Sequence, residues 1–177
     1  MSIRLSAREI LAKLVSFPSV SRDSNLDLVD WVENYLADFG IASVRVPNPE
    51  GNKAAIYAQV GPAVEGGVIL SGHSDVVPVD GQAWSSDPWT ITERNGRAYA
   101  RGVGDDKAGV AVHLAALRAF EGRPPVGVTV FVEGEEEIGS PTFDRFLAAH
   151  LDELSADVII VADSGNWRVG VPAITTT

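Results

Sequence analysis

The chain contains no cysteine and only three histidines in 177 residues. Without thiols there can be no disulfide, cysteine zinc finger, thiol nucleophile or iron–sulfur cluster, so any metal must be held by His, Asp and Glu. Positive charge is also scarce. Fourteen Lys and Arg stand against 24 Asp and Glu, which gives a net charge of -10 and a pI near 4.6. No basic block offsets this, so neither nucleic acid nor an anionic membrane is an expected partner. No apolar run approaches the ~20 residues of a membrane span. The segment from Met1 to Glu9 interleaves charged and apolar residues and so lacks the apolar stretch of a secretory signal, which makes a cytoplasmic location the default expectation. Nucleotide signatures are weak: Gly102-Val103-Gly104 has no third glycine in dinucleotide register, and there is no Gly-Lys-Ser/Thr loop. No Gly-X-Ser-X-Gly nucleophile elbow is present either.

What the chain does have is 45% hydrophobic residues and a mean hydropathy of +0.08, enough for one domain with a real core. Ser6 and Glu9 form a capping-box signature ahead of Ile10, Leu11, Leu14 and Val15, predicting a helix to about Phe17. A second helix reads from about Asn25 to Phe39, stopped by Gly40. Short β-type runs follow at 42–46, 53–60 and 68–70. Asn95-Gly96 between 90–94 and 97–100 predicts a type I′ hairpin. Residues 108–120 read as a helix, 126–132 as a buried strand, 142–154 as a helix and 157–161 as a strand. Strands alternating with helices imply an α/β fold, a three-layer sandwich whose mostly parallel central sheet is flanked by helices.

In such sheets, ligands bind beyond the carboxyl ends of the strands, which gives residues just after a strand first claim on function. Ser71-Gly72-His73-Ser74-Asp75, Gly134-Glu135-Glu136-Glu137 and Ala162-Asp163-Ser164 all sit there, and Asp105-Asp106 opens a helix. One His with several carboxylates is a ligand set suited to paired zinc ions or similar divalent metals. Asp75 is better placed to hydrogen-bond the far nitrogen of His73 than to bind metal itself. Taken alone, His-X-Asp is a polar turn, three glutamates are a solvated loop, and acidic residues at a helix start serve its dipole. Like charges packed after a buried strand need compensating cations, however, and one Glu can then bind metal while its neighbour moves a proton. His113 and His150 read as structural, and Trp84, Trp89 and Trp167 as packing or wall residues.

Together, Ser71 to Pro78, Ala100 to Gly109, Glu133 to Ser140 and Asp163-Ser164 resemble the M20 metallopeptidase family, in order and over essentially the whole chain. The resemblance implies a zinc-peptidase-like catalytic domain acting on a small molecule, an N-acyl amino acid or a dipeptide. His73 would bind the first metal, Asp105 would bridge, Asp163 would complete the first site and Glu137 would bind the second. Glu136 would be the general base, with Asp75 orienting His73. The implied cofactor is zinc, two ions in a complete site, with cobalt or manganese as alternatives. Up to about Arg94 the likeness is to the acetylornithine deacetylase branch, and from Gly102 on to the cytosolic dipeptidase branch, as in a chimera or an intermediate member. Members of the family continue into a lid or dimerisation domain and a late histidine. Residues 1–177 are thus expected to be the N-terminal portion of the catalytic domain, one ligand short at the second metal and with apolar core residues left uncovered. A homodimer is compatible with a longer form. The competing expectation is an inactive metal-binding or partner-binding α/β domain derived from the same family.

Overall fold

A computed structural model describes residues 4–62, 66–165 and 168–171. Helix α1 (Ala7–Val15) starts on the expected capping box: Glu9 N–H donates to Ser6 Oγ, and the Glu9 carboxylate accepts the Ser6 N–H. It ends two residues before Phe17. Helix α2 (Leu26–Ala37) ends two residues short of the expected Phe39, and Gly40, with φ of 72°, lets Ile41 N–H return to Leu36 O. Five strands, β1 (Ser43–Pro47), β2 (Ala54–Val60), β3 (Val68–His73), β6 (Val128–Glu133) and β7 (Val158–Val161), form one sheet in the order β1-β2-β6-β3-β7. Only β2 runs against the other four, so the sheet is mostly parallel. Strands β4 (Thr92–Arg94) and β5 (Arg97–Tyr99) make the separate hairpin, with Asn95 and Gly96 at φ 51° and 71° as a type I′ turn requires.

Alternation along the strands builds two cores. Ala54, Ile56 and Ala58 of β2 and Val128, Val130 and Val132 of β6 face α1, α2 and α3 (Lys107–Ala119), packing with Ile10, Leu14, Leu28, Leu36, Leu114 and Leu117. Tyr57 and Phe131 face the other way and meet Phe146 of α4 (Phe143–His150). Helices therefore cover both faces, giving the three layers. The single helix expected over 142–154 is instead α4 followed by a short 3₁₀ stretch, Leu151–Leu154. Strand β7 is at the sheet edge, and its four apolar side chains are all exposed. No helix among the described residues is long and apolar enough to cross a membrane.

Candidate metal centre

Strand register brings the first two candidate ligands together. Strands β3 and β7 are parallel with Ser71 opposite Val161, so His73 and Asp163, each two residues further on, emerge at the same end of the sheet. Strand β6 lies on the other side of β3, pairs His73 with Glu133, and delivers Glu135, Glu136 and Glu137 just beyond that same end. Asp105 arrives from the N-terminus of α3, which packs on β3.

His73 is the hub and is nearly fully buried. Its Nδ1 lies 3.0 Å from Asp75 O and 3.4 Å from Asp75 Oδ1. This leaves Nε2 facing Asp105 Oδ1 at 3.0 Å, Asp163 Oδ2 at 3.6 Å and Glu136 Oε2 at 3.8 Å. His73, Asp105 and Asp163 offer ligand atoms that all lie within 4.8 Å of one another. Burial alone would lower the pKa of His73, but Asp75, Asp106 and Asp163 outweigh it and raise it to about 10. Burial acts to raise the Asp75 carboxyl, yet hydrogen bonds from His73 and Ser21 hold it below the usual carboxylate range. Asp75 also accepts the Glu136 N–H at 3.0 Å and the Glu137 N–H at 3.2 Å, and so anchors both the imidazole and the glutamate turn. Glu137 is not in the close group of three; its carboxyl is pushed up by burial and then by the charge of Asp105. A site of one free imidazole nitrogen and converging carboxylate oxygens suits a borderline divalent metal.

Several residues at this end of the sheet have roles that the sequence reading did not assign. Asp106 is fully buried and its Oδ2 accepts the His73 N–H at 3.1 Å. Burial, opposed by bonds from the backbone, raises its carboxyl to about 7. It fits only because Gly72 and Gly109 have no side chain: a Cβ there would stand 2.6 and 2.1 Å from the Asp106 carboxylate oxygens. Lys107 is equally buried, donates to Phe17 O at 2.6 Å, and is lowered to about 7 by burial. Asn25 precedes α2 but makes no capping bond; its side chain ties Ala54 N and O to Ser74 Oγ. His113 bonds Ser71 O and His150 stacks on Phe146, both away from the cluster. Trp89 lies beside Lys107 and Trp84 under Arg101, while Trp167 lies outside the described residues.

Residues 69–177 match the profile described as peptidase family M20/M25/M40, which is well over half of the chain. The chain belongs to this family. A cysteinylglycine-S-conjugate dipeptidase of Corynebacterium striatum is 36% identical over 160 residues, covering 87% of this chain and 35% of the relative. An acetylornithine deacetylase of Buchnera aphidicola is 26% identical over 186 residues, covering 89% of this chain and 49% of the relative. Each therefore matches both halves of the chain, and the chain spans between a third and a half of their length. Among solved structures, human carnosine dipeptidase 1 superposes with a TM-score of 0.75 at 27% identity, covering 89% of this chain and 38% of that one. An M20 family metallo-carboxypeptidase from Sulfolobus solfataricus gives 0.78 at 25% identity, with 90% and 37% covered. Membership implies a divalent metal, and the His73 cluster supplies donors that fit one.

Proposed function

We propose that this chain is the metal-holding part of a hydrolase that cleaves the amide bond of an N-acyl amino acid or a dipeptide. The observation that carries the reading is the convergence of His73, Asp105 and Asp163 within 4.8 Å at the carboxyl ends of adjacent parallel strands. In this reading His73 Nε2, Asp105 and Asp163 would hold one divalent ion such as zinc, and Asp105 and Glu137 would serve a second. A divalent metal supplies Lewis acidity and brings the pKa of water down toward ~7. The protein's own residues take the remaining steps in this reading. Asp75 fixes the imidazole with Nε2 outward. Glu136, exposed enough to meet solvent and held by its backbone to Asp75, takes the proton of the attacking water and returns it to the leaving amine. A cytoplasmic location and a small-molecule substrate go with this reading, and residues 1–177 are the N-terminal portion of the catalytic domain.

The decisive experiment is zinc binding followed by calorimetry and metal analysis. Wild type should bind no less than one equivalent, and His73→Ala should lose that ion together with the zinc-dependent rise in melting temperature. Equal zinc content and equal melting temperature in the two proteins would sink the assignment.

A further inference from the structure

Glu135, the first of the three consecutive glutamates, turns away from the metal-facing cluster and into the protein. It is nearly fully buried, with Oε1 3.4 Å from Lys53 Nζ and Oε2 accepting the Thr142 hydroxyl at 2.7 Å. Lys53 is buried as well and donates a second hydrogen bond to Ser21 O. Ser21 belongs to the segment that runs beside Val76, the residue after Asp75: its N–H and its hydroxyl both donate to Val76 O, at 3.1 and 3.2 Å. Asp75 in turn receives the N–H groups of Glu136 and Glu137. The contacts close into a ring that runs from Asp75 along the backbone to Val76, then through Ser21, Lys53 and Glu135, and along the backbone to Glu136 and Glu137, which return to Asp75. Lys53 is itself fixed, because Asn48 Oδ1 accepts the N–H groups of Asn52 and Lys53 at 3.1 Å each.

We infer that Lys53, Glu135 and Thr142 are positioning residues that hold the Glu136–Glu137 turn in register with Asp75. The part of the inference that concerns turnover rests on the hydrolase reading; the part that concerns the turn does not. A buried ion pair is a costly way to gain stability, since apolar residues of similar size often serve as well or better. What it adds here is direction. The carboxylate of Glu135 is bonded on both oxygens, from strand β2's entry and from the start of α4, so the residue that follows it has little freedom. A site that must hold a base within a fraction of an ångström depends on such support.

Residue-resolved hydrogen exchange on the chain separates this role from a purely structural one. Glu135→Gln, Lys53→Met and Thr142→Val should each speed exchange of the Glu136 and Glu137 amides about tenfold or more, with β6 and α3 amides changed by less than about threefold. Thr142→Ser keeps the hydroxyl and should restore wild-type exchange. The double variant Lys53→Met with Glu135→Met should regain melting temperature relative to either single variant, because no charge is left unpaired, yet keep the fast exchange. Recovery of both properties in the double variant would assign the pair to stability alone and overturn the inference, as would unchanged Glu136 and Glu137 amides in Thr142→Val, a nearly isosteric change at a partly exposed position that spares the fold. In zinc-loaded protein with measurable turnover, Glu135→Gln should lower kcat about tenfold with KM within about twofold. A wild-type chain that binds no zinc would defeat the hydrolase reading and leave the exchange result to decide the positioning role.

Discussion

At the scale of single residues, histidine has two opposite uses in this chain. His73 is surrounded by carboxylates that raise its pKa, whereas His113 is buried in α3 with Ser71 O as its partner. Burial lowers the His113 pKa, against the smaller opposing effect of Ser71. Its folded value therefore lies below the unfolded one of ~6.5. As pH falls through that unfolded value, the unfolded chain takes up a proton that the folded chain refuses, and stability declines. With chelator present, wild type should lose more melting temperature between pH 7 and pH 5 than His113→Gln, which keeps a donor for Ser71; equal losses would remove His113 from the acid response. The candidate ligands His73, Asp105 and Asp163 were legible because each stands just beyond a strand or at a helix start, where chemistry is exposed. The burial of Lys107, Lys53 and Asn25 was not, and Asp106 was read only as an acidic residue at a helix start. A charged or polar residue in a turn-rich segment reads as solvated, and only partners distant in sequence, such as Ser21 for Lys53 or His73 for Asp106, reveal that it is buried.

Among the elements, those with a single clear period matched their expected type, and those with mixed signals shifted. The β-branched run of β6 is buried on both faces, which is why it reads as continuous rather than alternating. Strand β3 extends beyond its apolar run to His73 because the ladder to β6 continues through Ser71 and Gly72, residues with no hydrophobic signature. Helix α4 is shorter than its sequence suggests and has one buried anchor, Phe146, stacked 4.5 Å from Phe131 and 4.8 Å from His150. Phe146→Ala should cost about 3–5 kcal/mol, the range for truncating a buried aromatic, seen as a lower urea midpoint. The amides of α4 should lose protection well before those of α1 and α3, which pack on the opposite face of the sheet. A uniform loss across both faces would show that the two cores are not separable.

For the molecule as a whole, the exposed β7 is a continuous apolar surface feature among the described residues. Val158, Ile159, Ile160 and Val161 present apolar side chains at a sheet edge, the arrangement that favours pairing with other strands. The 177-residue chain should therefore show concentration-dependent association by sedimentation, relieved by Ile159→Lys; a wild type that stays monomeric at the highest soluble concentration would contradict this. The parallel strand arrangement also has a consequence in time. Strands β3, β6 and β7 are distant in sequence, and parallel pairing over long loops is slow to form. The cluster of His73, Asp105 and Asp163 exists only once β7 has docked beside β3, so its members are expected to come together late, after the barrier to folding has been crossed. An ion that binds there should leave the refolding rate nearly unchanged and slow unfolding instead, as interactions absent from the transition state do. Stopped-flow measurements with zinc and with chelator would show one limb of the chevron moving and the other standing still. The metal would then act as a latch on a finished fold rather than as a seed for it.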